Sequence, residues 1–273
     1  MFLAAMLSPL SWAAHHENDA TTSTALDAAI KGDHRSEANK ARDKFRRPKE
    51  TLAFFGFRAD MTVVEIWPGG GWYTEILAPA LKESGKLYAA QYTTNPSFAY
   101  QRSYFGGFLL KLGERPDIYR DVEITTLDFP YALAIAPAGS ADMVLTFRNA
   151  HNWVDPGYGS NADTLGFKTM FDVLKPGGVL GVVDHRWPDP ETEDPSAGNG
   201  YISEQRIIKM AEAAGFELVA RSDMNRNPND GHDHPEGVWT LPPSLALGDQ
   251  EREKYVAIGE SDRMTLKFIK PVK

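Results

Sequence analysis

Three glycines directly after an apolar segment form the strongest ligand-binding pattern in this sequence. Residues 63–66 are predicted to form a buried strand whose only charge is Glu65, the glycines at 69–71 turn the chain, and Thr74 begins a helix. Glycines let a backbone approach a ligand closely, and a helix start offers free N–H groups to polar ligand atoms. A strand, a glycine turn and a helix in this order are typical of the first unit of a nucleotide-binding α/β sheet.

Residue 67 breaks the usual spacing of such a turn. An acidic residue is normally followed by glycines at alternate positions, and Trp67 stands where the first of them belongs. The same segment therefore also fits an ordinary strand-to-helix connection that binds no ligand.

Two histidines and an aspartate follow two later strands of the predicted sheet. His151 lies in a polar loop after the strand at 141–147, and Asp184 and His185 come at the end of the strand at 179–184. Because α/β sheets bind ligands at the carboxyl ends of their strands, these side chains are candidates for a general base. A lone histidine in a loop is more often a packed or surface residue, so that interpretation stays open for each.

The same three residues also allow a metal site. Together with the histidines and aspartates of residues 230–234, they could surround one zinc or iron ion, since imidazole and carboxylate suit both metals. Residues 231–234 lack a recognised metal-ligand spacing. We therefore expect a solvated loop there and no metal.

A basic stripe lies on a helix predicted from Ser36 to about Arg47, which Pro48 would stop. Four residues fall on one face of this helix: Arg35, Asn39, Arg42 and Arg46. The default expectation for such a stripe is a solvated surface. The alternative is a helix that covers the sheet and points arginine at a carboxylate or phosphate.

Composition narrows the possible function classes. A chain of 273 residues can bury a full core as one large domain or two small ones, and its charged fraction of 24% fits an ordinary globular protein. The net charge of -8 gives no electrostatic support for nucleic-acid binding. We therefore expect no nucleic acid as a partner.

Residues 1–13 look like a secretory signal peptide. Residues 1–10 are apolar, Ser11 and Ala13 are the small residues before a cleavage site after Ala13, and polar sequence follows. We expect a periplasmic protein without stable membrane association after cleavage, and the absence of cysteine is compatible with export. The alternative is an apolar N-terminal helix or tail on a cytoplasmic protein. Sequencing the N-terminus of the protein from fractionated cells separates the two.

The rest of the chain alternates strands and helices, which predicts a mostly parallel sheet with helices on both faces. Residues 14–24 are predicted to be a flexible lead-in, and the rest of residues 14–50 is predicted to form cover helices. Residues 51–273 are predicted to form an α/β domain. An aromatic-rich helix at 95–112 is expected to pack on the sheet. Strands are predicted at 63–66, 86–92, 122–128, 141–147, 179–184, 216–220 and 263–269.

In the order of these features the chain resembles the class I S-adenosylmethionine-dependent methyltransferases. The glycine turn matches, as do residues 174–178 before the fifth strand and 213–216 before the sixth. More narrowly, the chain is similar to a family of predicted methyltransferases with export signals. That similarity rests on three stretches, residues 67–75, 237–243 and 261–268. The resemblance implies a Rossmann-like fold with a seven-stranded sheet of order 3-2-1-4-5-7-6, and S-adenosylmethionine as cofactor.

The resemblance also implies which residues hold the cofactor. Its methionine part would lie beside Glu65 and the glycine turn, its ribose would face Gln91 where the family has an acid, and its adenine would face Asp128. The full implied set is Glu65, Trp67, Pro68, Gly69, Gly70, Gly71, Trp72, Tyr73, Gln91, Asp128, Phe147, Arg148 and Asn149. The implied catalytic candidates are His151, Asp184 and His185.

We therefore predict an S-adenosylmethionine-dependent methyltransferase that acts on an unidentified small molecule. The alternative is an exported protein of the same fold that no longer methylates and binds another small ligand in the same cleft. Trp67 and Gln91 keep this alternative open. So does export, because S-adenosylmethionine is made in the cytoplasm, and a cofactor far below its dissociation constant leaves a site empty.

Overall fold

The central feature of the fold is one twisted sheet. The structure is a computed structural model that describes the backbone of residues 9–272 and the side chains from residue 20 onward. Its strands are β1 (Thr62–Ile66), β2 (Lys86–Gln91), β3 (Glu123–Thr126), β4 (Ala141–Phe147), β5 (Leu174–Trp187), β6 (Ile202–Ser203), β7 (Glu217–Ser222) and β8 (Arg263–Ile269).

The strand order is β3-β2-β1-β4-β5-β8-β7, and the two-residue strand β6 pairs with the end of β5 beside this path. The pairs from β3 to β5 are parallel, whereas β8 runs antiparallel between β5 and β7. If β6 is left out, β7 and β8 become the sixth and seventh strands of the sheet. The order is then 3-2-1-4-5-7-6, so the predicted fold is confirmed. The extra strand, Ile202–Ser203, was not predicted.

Ten helices surround the sheet in the part of the chain that the structure describes. They are α1 (Pro9–Lys31), α2 (Glu37–Lys40), α3 (Asp43–Arg46), α4 (Pro48–Phe55), α5 (Thr74–Leu81), α6 (Ala99–Glu114), α7 (Pro116–Tyr119), α8 (Ala162–Val173), α9 (Glu204–Ala213) and α10 (Arg252–Ile258). Single 3-10 turns lie at Ala150–Val154, Pro156–Tyr158 and Gly237–Thr240.

The central strands β1 and β4 are buried on both faces, which explains their nearly continuous apolar sequence. Because successive side chains point to opposite faces, they enter two hydrophobic layers. Val63 and Met143 pack in the layer that contains α4 and α5, and Val64 and Val144 pack in the layer that contains α8 and α9. The carboxyl ends of β1, β4 and β5 meet at one edge of the sheet.

Two predictions about the helices were wrong. Residues 14–24, predicted to be a flexible lead-in, lie within α1. The single helix predicted over 36–47 is two short helices, α2 and α3. The helices α7 and α10 were not predicted. Of the predicted signal peptide, residues 1–8 lie outside the described residues, so cleavage stays a prediction. Among the described residues, no helix is both long and apolar enough to span a bilayer.

The basic stripe in and beside α2 and α3 is largely withdrawn from water, with Arg35 and Arg46 buried and Asn39 and Arg42 half-buried, so the expectation of a solvated surface was wrong. Arg35 and Arg46 are each 2% exposed. Arg35 pairs with Asp43 at 2.7 Å and with Glu75 of α5 at 3.4 Å. The alternative, a cover whose arginines point at carboxylates, is confirmed. The carboxylates belong to the protein itself.

Candidate ligand-binding cleft

A cavity of about 260 Å³ opens at the carboxyl ends of β1 and β4. The cover helices α2 and α3 contribute to its wall through Asn39, Arg42 and Arg46. Of the predicted cofactor residues, all but Gly71, Gln91 and Asp128 line it. Those that line it are Glu65, Trp67, Pro68, Gly69, Gly70, Trp72, Tyr73, Phe147, Arg148 and Asn149.

The glycine turn has a backbone that only glycine adopts without strain. Gly69 and Gly71 have φ of +58° and +78°, and a Cβ on Gly71 would lie 3.1 Å from Phe108 of α6. The carboxamide of Gln91 donates to the Gly69 carbonyl at 3.0 Å and accepts from the Tyr92 N–H at 3.0 Å. Gln91 is therefore buried behind the turn and holds it in shape, and its carboxamide does not line the cavity.

Glu65 is a buried carboxyl group at the base of the cavity. It is 2% exposed and accepts a hydrogen bond from the Thr74 hydroxyl at 2.6 Å. Burial raises the pKa of Glu65 to about 7, against an opposing effect of the Thr74 hydrogen bond. A cation in the cavity would favour the ionised form of Glu65.

The Trp67 side chain fills space at the inner end of the cavity. It is 4% exposed, and its indole Nε1 donates to the Leu127 carbonyl at 2.9 Å. Its ring lies 5.1 to 5.9 Å, between centroids, from four aromatic rings, those of Tyr92, Phe129, Trp153 and Tyr158. The indole is thus a member of the hydrophobic core.

Asp128 lies beyond the Trp67 indole. It lines a second, smaller cavity of about 50 Å³, and Trp67 and Tyr92 line both cavities. The two aromatic side chains therefore separate Asp128 from Glu65 and the glycine turn.

The predicted catalytic residues come together at the ends of β4 and β5. Asp184 is fully buried and accepts from three donors: the His151 N–H at 3.1 Å, the His185 N–H at 2.8 Å, and the His151 ring. The ring contact joins His151 Nδ1 to Asp184 Oδ1 at 2.7 Å. With the proton on Nδ1, the Nε2 atom of His151 keeps a free lone pair.

His185 is the member of this group that lines the cavity. Its Nδ1 lies 2.5 Å from the Ser261 hydroxyl, and its ring lies 5.2 Å from that of His151. Burial lowers the pKa of His185 well below its usual value, and the positive charge of Arg148 acts in the same direction. His185 is therefore a neutral imidazole at neutral pH, while His151 and Asp184 lie behind it.

His151, Asp184 and His185 also have the composition of a metal site, since their ligand atoms lie within 4.8 Å of one another. Asp184 already accepts three hydrogen bonds, two of them from His151, so the protein itself satisfies most of its acceptor sites. The loop histidines do not join the group. His232 faces Asp262 at 3.6 Å, and His234 contacts Asp230 at 2.8 Å.

Arginines surround one carboxylate beside the cavity. Glu260 pairs with Arg42 at 2.7 Å, Arg46 at 2.9 Å and Arg263 at 3.0 Å. Burial alone would raise the pKa of Glu260, but these arginines hold it well below its usual value. A fourth arginine, Arg148, lines the cavity and is close enough to contribute to this effect.

Several residues of the cleft were not predicted to be functional. Tyr100 and Tyr104 were assigned to core packing, but they are 42% and 51% exposed and line the cavity. Phe105 and Phe108 of the same helix are buried, as predicted. The remaining lining residues come from loops and strand ends: Ile66, Tyr92, Asn152, Pro243 and Ser244. Nothing in the local sequence marks the loop residues as neighbours of the glycine turn.

Comparison with known proteins supports the fold. No protein-family model matches the chain, and no curated protein matches its sequence. Among solved structures, it is similar to geranyl diphosphate C-methyltransferase from Streptomyces coelicolor A3(2), in complex with Mg²⁺, geranyl-S-thiolodiphosphate and S-adenosyl-L-homocysteine. That similarity has a TM-score of 0.56 at 14% identity and covers 89% of this chain and 84% of the other.

Two further structures have the same fold and different names. The [4+2]-cyclase SpnF matches with a TM-score of 0.54 at 18% identity, over 89% of this chain and 86% of the other. A SAM-dependent methyltransferase from Aquifex aeolicus matches with a TM-score of 0.50 at 20% identity, over 67% of this chain and 86% of the other. The chain therefore has a class I methyltransferase-like fold, and at these identities the similarity extends to the fold alone.

Proposed function

We propose that this chain is an S-adenosylmethionine-dependent methyltransferase that acts on a small molecule. The observation that carries the proposal is the cavity at the ends of β1 and β4. Glu65, the glycine turn and residues 147–149 line one space, with a buried histidine–aspartate pair beside it. This is the edge at which α/β sheets bind ligands.

The residues fit the amino-acid end of the cofactor. The buried carboxyl of Glu65 suits an ammonium group, and the arginines that line the same cavity suit a carboxylate. The space toward Asp128, where the adenine is expected, is filled by the Trp67 indole. Binding of the whole cofactor therefore requires the indole to turn aside.

The protein's own groups would hold and deprotonate the acceptor. When bound, S-adenosylmethionine supplies an electrophilic methyl group for in-line transfer. His185 faces the cavity as a neutral imidazole and can accept a proton from an acceptor hydroxyl or amine. Asp184 orients His151 beside it.

Trp67 favours a second candidate function, a protein that binds a smaller ligand and does not transfer a methyl group. With the indole in place, the cavity keeps its charged residues and loses the adenine space. The fold is compatible with either function, because fold does not determine chemistry.

Calorimetric titration of the wild-type protein tests the choice. If the protein is a methyltransferase, titration with S-adenosylmethionine and with S-adenosylhomocysteine should each give a saturable heat of binding. Absence of binding at ligand concentrations of about 1 mM would contradict it and favour the second candidate.

A further inference from the structure

The arginines in and beside the cavity carry more positive charge than the carboxylates of this group neutralise. Arg42, Arg46, Arg148 and Arg263 all act on one carboxylate, that of Glu260. Even if Glu65 is counted as ionised, the positive charges of these arginines outnumber the negative charges of Glu260 and Glu65. Buried charges are normally paired, so the excess is a feature that calls for a counter-ion.

Arg148 has no acidic partner. Its side chain forms no hydrogen bond or ion pair with any residue in the described range 20–272; it lines the cavity and feels the charge of Glu260 only from a distance. Its backbone has φ of +63°, a left-handed conformation that is uncommon outside glycine, and its N–H donates to the Val183 carbonyl at 2.7 Å. The fold therefore holds an unpaired arginine at the end of β4, where substrates of this fold are expected.

Arg46 faces the same cavity with part of its guanidinium unused. Its Nε donates to Glu260, while its Nη2 is buried and has no hydrogen-bond partner among the described residues. The guanidinium lies 4.7 Å from the centre of the Trp72 ring, which fixes its position. A buried donor without a partner at the wall of a cavity is a binding group for an acceptor on a ligand.

We propose that Arg46 and Arg148 form a binding site for the carboxylate or phosphate of a small molecule. Arginine matches the planar oxygen pairs of both groups. Neutral side chains, those of Asn152 and Ser244, line the same cavity and can complete the contacts. The anionic group belongs either to the methyl acceptor or to the amino-acid end of the cofactor. Only this choice of ligand rests on the proposed function.

Titration with inorganic phosphate in a buffer of low chloride tests the site. We expect saturable binding to the wild-type protein and at least about tenfold weaker binding to Arg148→Gln, since a charge-assisted contact is lost. The control is Arg120→Gln, which removes the same charge from a side chain that is 73% exposed and that, within residues 20–272, pairs only with Asp121. This control is expected to bind phosphate like the wild type.

Thermal unfolding of Arg148→Gln gives an independent readout. Without phosphate, the variant is expected to melt no lower than the wild type, because it loses repulsion from the other arginines and no hydrogen bond. Equal phosphate affinity of Arg148→Gln and wild type, or no phosphate binding to the wild type, would overturn the proposal.

A second titration, with saturating S-adenosylhomocysteine present, identifies the source of the anionic group. Loss of phosphate binding assigns the site to the cofactor's carboxylate, and retained binding assigns it to the acceptor. If S-adenosylhomocysteine does not bind at all, the methyltransferase proposal fails, while phosphate binding by the wild type still supports the anion site.

Discussion

Trp67 has the backbone conformation of the glycine it replaces, but its indole side chain occupies space beside the turn. Its φ of +43° is the left-handed conformation that a glycine normally supplies at this position. The sequence showed the departure from the usual spacing. It could not show the direction of the indole, which is set by the carbonyl of Leu127 and by rings from distant segments. Gln91 is a similar case, because its bond to Gly69 follows from the packed turn.

Glu65 gives the protein a specific dependence of stability on pH. Its pKa of about 7 in the folded state lies above the ordinary value of 4.5, so the folded state binds this proton more tightly than the unfolded state. The stabilisation of the folded state by this proton is therefore complete below about pH 4.5 and is lost as the pH rises through 7. We predict that Glu65→Gln, which keeps an acceptor for Thr74, removes this loss.

Urea unfolding of both proteins at about pH 5 and about pH 8 measures the effect. Between these values the wild type should lose up to about 3 kcal/mol of unfolding free energy relative to Glu65→Gln. Parallel pH profiles for the two proteins would show that burial does not perturb Glu65.

At the scale of elements, the cover helices α2 and α3 are attached by buried ion pairs. Their basic stripe was visible in the sequence, but its surroundings were not. Glu75 and Glu260, the carboxylates that pair with it, lie on α5 and just before β8. A helical periodicity defines a face, whereas tertiary structure decides whether that face meets water or carboxylates.

Glu260 is predicted to be the main attachment point of α3. Glu260→Gln leaves three closely paired arginines without a countercharge, and removal of one member of a buried ion pair costs about 3–5 kcal/mol. Urea unfolding gives this loss directly. The matched control is Glu251→Gln, whose pair with Lys254 is exposed and screened by water and should contribute little to stability. A loss as small in Glu260→Gln as in the control would disprove the role of Glu260.

At the scale of the whole molecule, the sheet order followed from local patterns. The strands at 141–147 and 263–269 were predicted with their observed bounds, because apolar runs between turn residues are local features. The elements that were missed have weak local patterns. The strand β6 has two residues, and α10 is short and mostly exposed. The cavity itself combines six or more separate segments, which no local pattern can bring together.

We propose that the cleft accommodates the amino-acid end of S-adenosylmethionine while Trp67 closes its adenine end. Trp67→Gly removes the indole at a position whose backbone suits glycine. It should cost about 3 kcal/mol of stability, because a large buried side chain is lost, yet leave the protein folded. Trp187→Ala, at a tryptophan outside the cavity, is the matched control.

Calorimetric titration of these proteins with S-adenosylhomocysteine is the most direct measurement. If the open conformation is a tenth or less of the wild-type population, Trp67→Gly binds at least about tenfold more tightly than wild type, and Trp187→Ala binds like wild type. A folded Trp67→Gly protein with equal or weaker affinity than the wild type would contradict the claim.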